Sequence, residues 1–269
     1  MKAIALHSVV PVRTEPRESA EQETQMLFGE LCTIEEHTNN KQGTAPQWYR
    51  VTLEADKEEG WVDAKMVSPI GGKDYSSYKK ALHNAACIVM PMAYAVSDNN
   101  GQTIPLSAGT RLTGYREGHF EVLGVGFRID PSMVAVRPPE LTRENLLQVV
   151  RFFLNVPYLW GGKNAMGMDC SGFTQTIMSL FGKHLPRNAG SQAQQGRAIS
   201  ELKKGRAGDL VFFNHGGQTP ISHVGILIDP ERVIHCSGRV KVEHIDSTGI
   251  FSAETGQYTH LLAGIRRIH

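Results

Sequence analysis

Three side chains in this 269-residue chain have the types and spacing for nucleophilic catalysis: Cys170, His223 and His235. Cys170 follows the turn-rich stretch Pro157-Tyr158-Leu159-Trp160-Gly161-Gly162. It precedes Phe173, Ile177, Leu180 and Phe181, apolar residues at helical spacing, and Gly182 offers a stop. A cysteine in the first turn of a helix meets unpaired N–H groups and the positive end of the dipole, so a thiolate is expected there. A nucleophile still needs a base, and the two histidines are the candidates.

Strand parity makes that pairing explicit. His223 opens the apolar run to Ile228, His235 lies in Arg232–Ser237, and Asp229-Pro230-Glu231 between them reads as a turn. A three-residue loop pairs Gly225 with His235. The imidazoles then share a face as diagonal neighbours, about 7–8 Å apart at the backbone. Cys236 points to the opposite face, away from the site. The parts would be a thiolate, an imidazole base and a second imidazole that fixes the first one's tautomer.

The elements that must position these groups form an α+β region. Thr142 can cap a helix carrying Leu146, Leu147, Val150, Phe153 and Leu154, and the Cys170 helix follows. Strands are expected at 209–213, 223–228, 232–237, 240–245 and 261–268. Residues 1–70 read as a small all-β barrel or sandwich, with Ser68–Asp74 as a polar joint. Residues 71–138 repeat the order of strand, turn and aromatic strand, which suggests a second small barrel, with one larger β domain as the alternative. Pro138-Pro139-Glu140 marks the boundary to a third domain, 139–269.

Bulk properties exclude several classes. A formal net charge of +1 gives no electrostatic reason to expect nucleic acid or an anionic membrane as partner. The longest apolar run, Ala85–Val96, is twelve residues and contains Pro91, too short for a membrane span. Lys2 and the patch Ala3–Leu6 are too brief for a secretory signal, so a cytoplasmic location is expected, secreted or periplasmic if a leader was trimmed. Cys32, Cys87 and Cys236 read as small buried hydrophobes. No cofactor or metal is called for, and a monomer is expected.

Beyond this, Tyr158–Gly162, Asp169-Cys170-Ser171-Gly172-Phe173, Leu185-Pro186-Arg187, Gly205–Phe213, Ser222-His223-Val224-Gly225-Ile226 and Val233–Ser237 closely resemble the NlpC/P60 cysteine peptidases. The two preceding modules resemble bacterial SH3 (SH3b) domains. The resemblance implies a papain-like core with Cys170, His223 and His235 as triad, and Tyr158 polarising the scissile carbonyl. It implies Asp169 and Ser171 on the substrate's amino end and backbone, Trp160 nearby, and Glu21 and Trp61 of the first SH3b module at the substrate amine. The layout is similar to γ-D-glutamyl-L-diamino acid endopeptidases, which release L-Ala-D-Glu from peptidoglycan stem peptides and require a free N-terminal L-Ala. Two departures stand out: Asn188 replaces a frequent aspartate, and Cys236 a frequent alanine. Arg187 reads as a solvated surface charge and is given no role.

Rival readings stay open at this point. A zinc hydrolase could draw on Asp209, His215, His223 and His235, although no H-E-x-x-H or cysteine pair supports it. A cell-wall amidase or acyltransferase on the same fold and a non-catalytic muropeptide-binding protein are the others.

Overall fold

The structure, a computed structural model, describes residues 1–216 and 219–268. The chain divides into two compact units, Met1–Pro138 and Pro139–His269.

The first unit opens with seven short strands: β1 (Lys2–Ala5), β2 (Val9–Arg13), β3 (Gln22–Leu27), β4 (Leu31–Asn39), β5 (Pro46–Leu53), β6 (Glu59–Asp63) and β7 (Val67–Ile70). They form one antiparallel sheet in the order β3-β2-β6-β5-β4-β1-β7. Its alternating apolar residues, among them Val10, Val12, Cys32, Val51 and Val62, make a closed core. Helix α1 (Gly72–Leu82) comes next. The sequence reading takes this stretch as the end of a polar joint, because the helix buries only Tyr75 and Tyr78 and carries no aliphatic stripe.

A second strand series follows: β8 (Ala86–Ile88), β9 (Met92–Ser97), β10 (Thr103–Ser107), β11 (Arg111–Leu112), β12 (His119–Val122), β13 (Val125–Ile129) and β14 (Val134–Ala135). These make a four-stranded sheet, β10-β9-β13-β12, and a three-stranded one, β11-β8-β14. Ile4, Phe28 and Leu31 of the first series pack in one cluster with Tyr75, Tyr78, Leu112 and Phe127. Phe28 meets Phe127 edge-on at 5.6 Å. Of the three cysteines read as buried, Cys32 and Cys236 are fully so, while Cys87 is half-buried.

The second unit begins with α2 (Arg143–Val150), where Thr142 accepts from the Asn145 N–H at 3.2 Å, the expected cap. A two-residue hairpin pair, β15 (Lys163–Asn164) and β16 (Gly167–Met168), leads into α3 (Cys170–Leu180). Gly182, at φ 72°, ends α3, with the Lys183 N–H closing on the Met178 carbonyl at 2.9 Å. After α4 (Ala189–Gln192) and β17 (Arg197–Ala198) come β18 (Leu210–Asn214), β19 (His223–Asp229), β20 (Arg232–Ser237), β21 (Arg239–Ile245), β22 (Gly249–Ser252) and β23 (Gln257–Arg267).

These last six strands form an antiparallel meander that closes on itself, because β22 pairs with β23 and β23 with β18. Closure removes the edges, and Val211, Phe213, Leu227, Val233, Ile245, Ile250 and Ile265 pack together. The short strand β22 was not expected from the sequence.

Candidate active site

Cys170 is the first residue of α3, and the chemistry ahead of it is held from within. Asp169 caps the helix, accepting from the Gly172 N–H at 2.7 Å, and its other oxygen accepts from the Gly161 N–H at 2.9 Å. Gly172 has to be glycine: a Cβ there would lie 2.1 Å from the Gly162 carbonyl oxygen. Arg187 is 1% exposed, contrary to its reading as a solvated charge. Its guanidinium donates to both Asp169 oxygens and, at 2.8 Å, to Ser171 Oγ. A buried carboxylate must be paired, and Asp169 supplies the charge that keeps Arg187 inside.

His223 and His235 share a face. The ladder pairs Gly225 with His235, Ile226 with Ile234 and Leu227 with Val233, as parity predicts. The loop differs: a register shift between Leu227 and Asp229 lets Asp229 pair with Arg232, leaving a two-residue turn. The bulge lies on the turn side of the histidines, so their register is untouched. His223 Nε2 lies 2.8 Å from His235 Nδ1, with the rings nearly perpendicular.

Two further groups complete this cluster. His235 Nε2 is 2.8 Å from Glu243 Oε2, on β21. His260, on β23, stacks against His223 with ring centroids 4.1 Å apart. The backbone amide of Val224, the residue after His223, acts on the Cys170 thiol and lowers its pKa, which sets the thiol toward the histidine end of β19.

The electrostatics differ from the expected thiolate. Burial, then the Asp169 carboxylate, push the Cys170 thiol up to about 11, against the Val224 and Ser171 amides and Arg187, which pull it down. Burial, then the neighbouring imidazoles His235 and His260 and Lys241, hold His223 well below the usual histidine value. His235 is lowered as well: burial outweighs the hydrogen bond and charge of Glu243. Both shifts oppose charge separation between Cys170 and His223, against the pull of the helix dipole. Tyr158, half-buried, is pushed up to about 12 by burial and by the charges of Cys170 and Asp169, so it stays a phenol donor. Its N–H donates to the Gly238 carbonyl at 2.9 Å, tying the loop to the β20–β21 turn.

Residues 155–258 match the NlpC/P60 family, and residues 8–68 match the bacterial SH3 domain. A γ-D-glutamyl-L-lysine dipeptidyl-peptidase of Bacillus subtilis is 31% identical over 229 residues, covering 79% of this chain and 71% of that relative. The chain belongs to the NlpC/P60 family. A Bacillus cereus protein of the same name is 35% identical over 132 residues, 48% of this chain and 37% of that one. The crystal structure of an NlpC/P60 family protein from Bacillus cereus superposes with a TM-score of 0.80, covering 99% of both chains at 22% identity, which speaks to the fold. This NlpC/P60 protein is a hydrolase, a cysteine peptidase.

Within the NlpC/P60 domain, Cys170, His223, His235, Asp169 and Ser171 are all buried. Asp169 and Ser171 were expected to meet substrate, yet their polar atoms hydrogen-bond to Gly161, Gly172, Arg187 and each other. Trp160 stands 60% exposed beside them in sequence. Cys236 does face away from His235, but its thiol donates to the Met168 carbonyl at 3.1 Å, and burial followed by the Cys170 charge raises it to about 12. It leaves the imidazoles without leaving the neighbourhood of Cys170. Glu21 is exposed just ahead of β3 and Trp61 is half-buried on β6; both belong to the first unit.

The zinc alternative loses Asp209, which precedes β18 and is engaged by Arg267 at 2.7 Å, whereas His223 pairs with Phe213 at the strand's other end. The sequence reading missed Arg187, Glu243 and His260. Extending parity one strand would have found Glu243: His235 pairs with Lys241, so Glu243 shares its face. His260 depends on barrel closure, for which the sequence offers no local signal.

Proposed function

We propose that the protein hydrolyses the bond between γ-D-Glu and an L-diamino acid, meso-diaminopimelate or lysine, in peptidoglycan stem peptides with a free N-terminal L-Ala. The observation that carries this reading is the imidazole pair at 2.8 Å, whose first member directly precedes Val224, the residue whose backbone amide acts on the Cys170 thiol. The name of the Bacillus subtilis relative supports the bond class.

In this mechanism His223 Nδ1 takes the Cys170 proton as the sulfur attacks the γ-glutamyl carbonyl. The Cys170 N–H, in the first helical turn and so without an intrahelical partner, and the Tyr158 hydroxyl stabilise the oxyanion. The His223 imidazolium returns its proton to the departing amine of the diamino acid, breaking the C–N bond. Water, activated by His223, then cleaves the thioester and restores the thiol. Asp169, Arg187 and Ser171 hold the loop and helix start that aim these groups. Residues 71–138 are taken as a second SH3b module, on the order of strands that they share with 1–70. A free-amine requirement implies peptides already released from the wall, hence recycling in the cytoplasm.

The test is incubation with L-Ala-γ-D-Glu-meso-diaminopimelate and with its N-acylated form, followed by product masses. Release of L-Ala-D-Glu from the free-amine peptide alone is the expected result. Cleavage at the L-Ala–D-Glu bond, or transfer to an added amine in place of hydrolysis, would contradict the reading.

A further inference from the structure

We infer that Glu243 is a positioning residue for the peptidase reaction: its carboxylate fixes which nitrogen of each imidazole carries the proton. The argument is one of donors and acceptors. An ionised carboxylate only accepts. Glu243 is ionised, brought down to about 2 although its burial opposes this, because His235, Ser252 and Lys241 all stabilise the anion. His235 Nε2, at 2.8 Å from it, must therefore donate. In a neutral ring that leaves Nδ1 as acceptor, and the group 2.8 Å from Nδ1 is His223 Nε2, which must donate in turn. His223 Nδ1 is then left as a lone pair, the base the thiol needs.

Without Glu243 the same two rings can bond the other way round. His235 Nδ1–H would donate to His223 Nε2, His223 Nδ1 would carry a hydrogen, and Cys170 would face a ring unable to take its proton. The hydrogen bond between the histidines is symmetric and carries no direction of its own. Glu243 supplies the direction.

The charges around Glu243 suit that task. Its side chain is 7% exposed, and Lys241 Nζ lies 3.2 Å from it, so the carboxylate adds an acceptor without a net negative charge. An unbalanced anion would favour an imidazolium at His235, and the His223 base would then meet a cation. The groups facing the pair are His223 from β19, His260 from β23, Lys241 and Glu243 from β21, and Ser252 from β22, with Glu254 3.6 Å from Lys241. Among these, Glu243 is the carboxylate that reaches a ring nitrogen.

The test pairs kinetics with a direct reading of the tautomer. Replacing Glu243 by Gln keeps size and a carbonyl acceptor; replacing it by Met removes the acceptor. On the peptide of the proposed function, Glu243→Met should lower kcat by about 10- to 100-fold with KM little changed, and Glu243→Gln should fall between it and the native enzyme. In ¹⁵N-resolved NMR of the imidazoles, the native His235 ring should carry its proton on Nε2, and the Glu243→Met ring on Nδ1. A native ring protonated on Nδ1 would overturn the inference, as would a folded Glu243→Met protein with native kcat. The kinetic arm rests on the proposed substrate; the NMR arm uses no substrate, so an inert native enzyme counts against the substrate and leaves the tautomer to decide this inference.

Discussion

Gly225 stands directly across the β19–β20 ladder from His235, two residues from His223 on the same face, and the side chain it lacks leaves room for Val233 and the His235 Cβ. A Cβ at Gly225 would lie 2.6 Å from Val233 Cγ2 and 3.0 Å from His235 Cβ. Gly225→Ala must therefore displace Val233 and crowd His235 in a packed interior. We expect a loss of about 1–3 kcal/mol in stability from overpacking and a larger proportional loss of kcat. Denaturant titration and steady-state kinetics check this; native kcat in the alanine variant would show that the rings do not depend on this gap.

Arg187→Met removes one half of a buried ion pair and leaves Asp169 charged and uncompensated. Such truncations cost about 3–5 kcal/mol. Here the loss should fall on the α3 start as well, since Asp169 caps it and holds Gly161. The measurement is unfolding midpoint together with activity at a temperature where the variant is folded. A shift of less than about 1 kcal/mol would mean the pair contributes no more than a surface one.

Tyr158→Phe takes away one proposed oxyanion donor and leaves the ring. Turnover should fall about 10²–10³-fold, with KM nearly constant, because the hydroxyl acts on charge that develops only in the transition state. A variant with unchanged kcat would remove Tyr158 from the chemistry.

The pH dependence follows from the directions of these two shifts. His223 is lowered from its ordinary value, so its base form persists as pH falls, and the acid limb of kcat/KM should lie below pH 6.5, the ordinary histidine value. Cys170 is raised, to about 11, so alkylation of the free enzyme by iodoacetamide should keep accelerating above pH 9, the ordinary thiol value. A plateau of alkylation at neutral pH would instead reveal a preformed thiolate–imidazolium pair.

Much of this architecture is legible in the chain because it is local. The cap at Thr142, the stop at Gly182 and the shared face of His223 and His235 each follow from a few neighbouring residues and a fixed period. The hairpin turn was misjudged by one residue, yet the site survived, since a bulge between it and the histidines absorbs the change. What escaped is non-local or balanced. Helix α1 buries two tyrosines and little else. Arg187 looks like any surface arginine until the fold brings Asp169 to it across the buried start of α3. The thiolate was expected from one favourable effect, the helix dipole, when burial and an adjacent carboxylate oppose it.

The central claim is that the sulfur of Cys170 attacks the substrate. The direct measurement is turnover of L-Ala-γ-D-Glu-meso-diaminopimelate by Cys170→Ala beside the native enzyme, with mass spectrometry of the native protein quenched during turnover. The account predicts no product above background from the variant, and on the native protein an L-Ala-γ-D-Glu adduct at Cys170. Native-like turnover by Cys170→Ala would contradict it.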